Sequence, residues 1–228
     1  MNREAESVIN QLKGLANNQN RSGMGRFGIN TCSALGISIK TLRQIARKHR
    51  KNHPLALELW ESGIHEARIL AVLIEDPKQL GEKQMDQWVE EIDSWDLCDQ
   101  ACNNLFDKWP GAYSKAREWS HRKEEFVKRA GFVLMVSLAV HDKQAPDEKL
   151  AVFFADIHRE ACDPRNFVKK AVNWALRALG KRSKNLHQKA SALSRELANS
   201  DHKTARWIGS HALRELESEK VRQQLAGK

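Results

Sequence analysis

The chain has 228 residues, long enough for one large domain or two small ones, with 38 Lys and Arg against 29 Asp and Glu. Five prolines, twelve glycines and one tyrosine, beside many Ala, Leu, Lys, Arg and Glu, favour helix over sheet. The longest apolar run, 130–140, is too short to span a bilayer, no signal peptide is recognisable at the start, and four cysteines without a disulfide-like framework fit a reduced, cytoplasmic setting. The net charge of +9 is uneven. Residues 1–60 carry ten basic against three acidic groups, 61–112 four against twelve, 113–162 nine against eight, and 163–228 fifteen against six. Basic ends around an acidic middle suggest one face for a polyanion.

In chain order, Glu4–Leu15 reads as a first helix, ending in the polar stretch NNQNRSG, which looks mobile. Next comes Gly23-Met24-Gly25-Arg26-Phe27-Gly28, formally a G-x-G-x-x-G. It fails as a dinucleotide fingerprint, because no strand precedes it and no acidic residue sits about twenty positions later. A glycine-rich loop beside a basic helix is the better reading. Ser38 is placed as an N-cap for a helix running to about Arg50 that carries Arg47 and Lys48. Helices then come in pairs: Pro54–Ser62 and His65–Ile74 joined at Gly63, Glu82–Ile92 and Trp95–Phe106, Ser114–Ser120 and Glu124–Val140. Asp147–Ala161 precedes Asn166–Lys181, and Lys184–Asn199 precedes His202–Leu225.

The second members resemble one another. Arg68, Arg129, Lys170 and Arg206 each lie early in their helix, the last three at intervals of about 40 residues that suit HEAT-like repeats. The expected fold is therefore all-α, a HEAT-like (ARM/HEAT) helical-repeat solenoid spanning 1–228 as one domain, with basic residues on a concave face.

Three helices hold candidate chemistry. On Asn166–Lys181 an apolar stripe of Val168, Val172, Ala175 and Leu179 lies beside Lys170, Trp174, Arg177 and Lys181. Either that tryptophan packs sideways against a neighbour, or the stripe meets a polyanion that also offers rings or sugars. Trp95 and Asp99 stack at i and i+4, opposite Leu97, Cys98, Ala101 and Cys102. Such a carboxylate can meet a developing positive charge, or be simply solvated. Arg129 enters an almost wholly apolar helix, so its guanidinium needs a phosphate, a carboxylate such as Asp99, or water. Cys98-x-x-x-Cys102 and His158-x-x-x-Cys162 each pair possible metal ligands, but free cysteines on apolar faces are usually core.

Taken together, GRFGINT, LALELWESGIHEARILA, DSWDLCD, FVKRAGFVLM and FVKKAVNWALR resemble the AlkD-type DNA alkylation-repair glycosylases, from about Gly25 to about Arg214. That resemblance implies a HEAT-like fold and excision of cationic N3- or N7-alkylated purines from double-stranded DNA; no cofactor or metal is expected. It implies that Trp95 and Trp174 flank a damaged nucleotide, that Asp99 supports departure of the base, and that Arg129 helps hold the backbone. Lys170, Arg177, Lys181, Arg182, Lys184, Arg47 and Lys48 are the expected DNA-binding residues. The expected protein is a cytoplasmic monomer with no membrane or obligate protein partner. A non-catalytic module gripping bent or damaged DNA is the alternative.

Overall fold

The computed structural model describes residues 1–227, and regular structure among them is helical throughout: fifteen α-helices and one 3-10 turn. No helix among the described residues is long and apolar enough to cross a membrane. The chain forms two compact units, Met1–Trp109 and Pro110–Lys228.

The first unit opens with α1 (Arg3–Gly14), capped by the Asn2 side chain and burying Ala5, Val8, Ile9 and Leu12. The polar stretch expected to be mobile is instead a helix, α2 (Asn18–Gly25). It has no apolar stripe to announce it, because none of its residues is buried; a cap replaces the stripe, with Asn17 Oδ1 accepting from the Asn20 amide at 2.9 Å. The glycine-rich hexapeptide is thus no loop: Gly23 and Gly25 end α2, and Gly28 closes a turn at φ 75°. Ser38 caps α3 (Ile39–Ala46) as expected, but the helix stops at Ala46, and Arg47–Lys51 form a turn in which Lys51 takes φ 58°.

Asn52 caps α4 (His53–Glu61), Pro54 occupies its first turn, and Gly63 at φ 69° turns the chain into α5 (His65–Ile74). Helix α5 is buried on nearly every side, the mark of a central helix. Then come α6 (Glu82–Glu90), α7 (Trp95–Asn104) and the 3-10 turn Phe106–Lys108, so the helix expected to reach Phe106 ends two residues earlier. Trp60 of α4 stacks on Trp88 of α6 with centroids 4.1 Å apart, and its indole N–H donates to Glu91 at 2.7 Å.

The second unit holds α8 (Ala112–Ser120), α9 (Glu125–His141), α10 (Asp147–Ala151), α11 (Phe153–Glu160), α12 (Asn166–Gly180), α13 (Lys184–Ala198), α14 (Lys203–Leu216) and α15 (Glu219–Ala226). Two expected helices are each split. Asp147–Ala161 breaks at exposed Val152, and His202–Leu225 breaks at Ser218. The second break has a local cause: Ser218 Oγ donates back to the Glu215 carbonyl at 2.6 Å and caps α15, satisfying the broken backbone.

Helix α9 is the centre of this unit, with every residue from Val127 to Ala139 buried. It approaches α8 closely only because Gly131 lacks a side chain: a Cβ there would lie 2.4 Å from the Ser120 nitrogen. Gly209, the seventh residue of α14 as Gly131 is of α9, does the same against α13, where a Cβ would meet the Ala198 nitrogen at 2.3 Å. The repeat is therefore written in its helix contacts as well as in its basic residues.

Candidate functional site

In the first unit, α7 buries Leu97, Cys98, Ala101 and Cys102 and leaves Trp95 and Asp99 half-buried on its other side, as the i, i+4 spacing requires. The Trp95 indole N–H donates to the Phe27 carbonyl at 2.9 Å. Together with Met24, Arg26 and Ile29 these two aromatics line a cavity of about 900 Å³. Phe27 is 71 % exposed, a large apolar ring held out at the end of α2. Sequence reasoning missed it; the available signal was an aromatic residue set between an arginine and a glycine in a turn.

Two buried polar devices hold these pieces. Glu66, 1 % exposed in the first turn of α5, accepts the amides of Leu35 and Gly36 at 2.7 Å each and of Ile37 at 3.2 Å. Gly36 is required there: it takes φ 80°, and a Cβ would sit 2.2 Å from the Asn17 carbonyl. The segment leading from Phe27 to α3 is thereby fastened to α5. Beside Glu66, buried His65 meets Asp96 of α7 through Nε2 and Oδ2, 2.9 Å apart. Burial by itself would lower the His65 pKa, but the hydrogen bond and charge of Asp96, with Glu66 and Asp93 nearby, leave it raised. Burial would likewise raise Asp96, and the His65 contact leaves it lowered. The pair ties the first turn of α7, one residue from Trp95, to α5. Buried Cys98 and Cys102 are part of the core, and no cluster of three potential metal ligands occurs among the described residues. Arg47 and Lys48, on the turn after α3, are exposed.

In the second unit Arg129 is 5 % exposed, and one guanidinium nitrogen donates to the Phe167 carbonyl at 2.8 Å. Its neighbour Lys128 bonds Glu160 and reaches Asp163 at 3.5 Å, so the start of α9 is locked to the segment around α11 and α12. On α12 the expected cationic stripe is half neutralised. Arg177 pairs with Glu215 of α14, and Lys181 meets the other oxygen of the same carboxylate at 2.6 Å. Burial works to raise the Glu215 pKa, and these two cations leave it lowered. Arg182 spends its guanidinium on carbonyls, donating to Asp142 and Lys143 at 2.8 Å and Ala145 at 3.3 Å. Lys170 and Lys184 are exposed, while Trp174 is half-buried on the wall of a cavity of about 560 Å³. Arg206 is also exposed, on α14, whereas Arg68 of α5 is half-buried against Trp60 and Glu91. The four repeated basic positions therefore have unlike roles: Arg68 and Arg129 are built into packing, and Lys170 and Arg206 face solvent.

Residues 8–216 match the family described as DNA alkylation repair enzymes. The chain belongs to that family. Among solved structures, one described as "a new family of proteins related to the HEAT-like repeat DNA glycosylases with affinity for branched DNA structures" is 21 % identical, with 92 % of this chain and 94 % of that one covered at a TM-score of 0.75. This likeness establishes the HEAT-like repeat fold for the DNA alkylation repair chain. Two designed armadillo repeat proteins, one solved with the peptide (KR)4, are similar at 16 % and 15 % identity. They cover 78 % and 81 % of this chain and 92 % and 88 % of their own, at TM-scores of 0.39 and 0.40. No curated protein matches. The alkylation-repair match takes in Trp95, Asp99, Arg129 and Trp174, and ends at Leu216, before α15.

Proposed function

We propose that this chain is a DNA glycosylase that removes cationic N3- and N7-alkylated purines from duplex DNA. The observation that carries the reading is the alkylation-repair match over residues 8–216, with Trp95 and Asp99 set on the open side of α7. A purine alkylated at N3 or N7 is already positively charged. The C1′–N9 electron pair leaves with it and cancels that charge, so no acid is needed to protonate the base and no metal is needed to activate it. C1′ takes up the hydroxyl of water, and the water proton passes to solvent.

In this reading Asp99 supplies negative charge to an oxocarbenium-like sugar, worth about 3–4 kcal/mol where such a group is preorganised. The face of Trp95, on the same helix as Asp99, attracts the cationic sugar, and Trp174 of the second unit is assigned to the DNA. Arg129, whose orientation is fixed by the Phe167 carbonyl, is assigned to the strand backbone. Lys170, Lys184, Arg47 and Lys48, all exposed, are assigned to phosphates, as are Arg177 and Lys181 through exchange with Glu215. Arg182 contributes by holding the segment after α9. The test is incubation with a duplex carrying 7-methylguanine. Free base appearing faster than the spontaneous rate is expected; release at the spontaneous rate contradicts the proposal.

A second reading is favoured by one observation: the structure with a TM-score of 0.75 is described as related to the glycosylases and as having affinity for branched DNA. On that reading the chain binds DNA through the same basic residues without breaking a glycosidic bond. It predicts strongly salt-dependent binding with no base release, and tighter binding by Asp99→Asn because a repulsive charge is removed.

A further inference from the structure

We infer that the second unit carries a pocket for one unpaired nucleotide, with the base against Trp174 and the phosphate on Lys143 and Lys220. The cavity of about 560 Å³ beside Trp174 falls within the roughly 300–1,000 Å³ of small-molecule sites. Its apolar part is unusual for where it lies. Helix α9 is buried from Val127 to Ala139, yet the next residue, Val140, is 45 % exposed and faces this cavity with Trp174 and Val221.

Its polar part is cationic and built. Arg182 donates to three carbonyls of the segment after α9 and so fixes the stretch that presents Lys143. Lys220 comes from α15, and both lysines are exposed on the cavity lining. Glu215 lies in the wall, where its oxygens can accept from an exocyclic amine.

These properties select one ligand class. A simple anion has no use for an indole and two valines, and an uncharged ring has no use for a lysine pair. A nucleotide uses both. A base inside a duplex has its faces covered by its neighbours, so only an unpaired one can lie on Trp174. One wall of the pocket, α15, lies beyond the residues that match the family.

The inference rests on the DNA-binding part of the proposed function and is independent of base release. Its test compares a fully paired duplex, the same duplex with a single bulged 2-aminopurine, and free 2-aminopurine deoxyribonucleoside monophosphate. The bulged duplex is expected to bind at least about fivefold tighter than the paired one, the lower end of what stacking one base on an aromatic side chain supplies. Its emission should fall as the base meets the indole. Val140→Trp, which fills the cavity from an exposed position, and Lys143→Ala with Lys220→Ala are each expected to abolish the preference. Quenching of the free nucleotide but not of the bulge would assign the pocket to free nucleotides. Equal affinity for both duplexes with no quenching of either probe overturns the inference, as does a preference that survives Val140→Trp. Bulge preference without release of 7-methylguanine overturns the chemistry alone, and release without the preference overturns the pocket alone.

Discussion

Glu66 is the residue whose loss should most sharply separate the fold from the surface it supports. Its carboxylate, 1 % exposed, receives three backbone amides at 2.7, 2.7 and 3.2 Å. Hydrogen bonds to a charged acceptor contribute about 1.5–3 kcal/mol each, and a buried donor left without its partner costs about 1–3 kcal/mol. Glu66→Gln keeps one acceptor oxygen but turns an amide N–H₂ toward N–H groups. Counting the two short bonds fully and allowing for non-additivity, the loss should be about 3–5 kcal/mol. Against a total stability of about 5–15 kcal/mol the variant still folds. The damage should be local. Amides of Leu35, Gly36 and Ile37 should lose protection from hydrogen exchange, and a probe of the Trp95 environment should change because the Phe27 carbonyl belongs to the segment that is freed. The second unit should be unaffected. Unchanged protection at residues 35–37, or a loss below about 0.5 kcal/mol, where ordinary surface substitutions fall, would refute the reasoning.

Further outcomes follow from the same packing. Gly131→Ala and Gly209→Ala each place a Cβ within 2.5 Å of neighbouring backbone, and each should destabilise the protein by about 1–3 kcal/mol in urea unfolding; stability equal to wild type at either position would show that the helices can part at no cost. The His65 pKa is raised, so its pairing with Asp96 contributes stability that is fully present below the ordinary histidine pKa of about 6.5 and is lost as pH rises through the folded value. Asp96 is lowered, so its share is lost only in acid, as pH falls through its folded value. Wild type should therefore lose stability relative to His65→Gln as pH rises from the ordinary histidine pKa of about 6.5 through the raised folded value; parallel profiles would contradict this. Glu215→Gln, which releases Arg177 and Lys181, should tighten DNA binding and steepen its salt dependence by up to about two counterions; an unchanged slope in a salt titration would show that neither cation meets phosphate.

Much of this architecture was legible because its signals are local. His65–Ile74 begins and ends where the pattern placed it, since Gly63 turns the chain and an apolar run follows. Ser38 caps α3 through its own side chain. Trp95 and Asp99 share the outer side of α7 because a helix puts i and i+4 together. What escaped the sequence depends on partners far along the chain. Helix α2 has no apolar periodicity and is recognisable only from the Asn17 cap and the contact of Gly36 with Asn17. Arg129 demanded a partner, and the structure supplies a backbone carbonyl 38 residues later, a group every residue has. The stripe on α12 read as freely cationic on a helical wheel, but Glu215, on another helix, holds two of its members.

The central claim is that the Asp99 carboxylate lowers the barrier to base loss. Single-turnover release of 7-methylguanine by wild type and Asp99→Asn, side by side at saturating protein, tests it most directly. The account predicts release well above the spontaneous rate for wild type and a fall of about 10²–10³ in the variant, the range for removing one preorganised charge-stabilising group, with DNA binding retained. Equal release by the two proteins, or none by either while both bind the duplex, contradicts it.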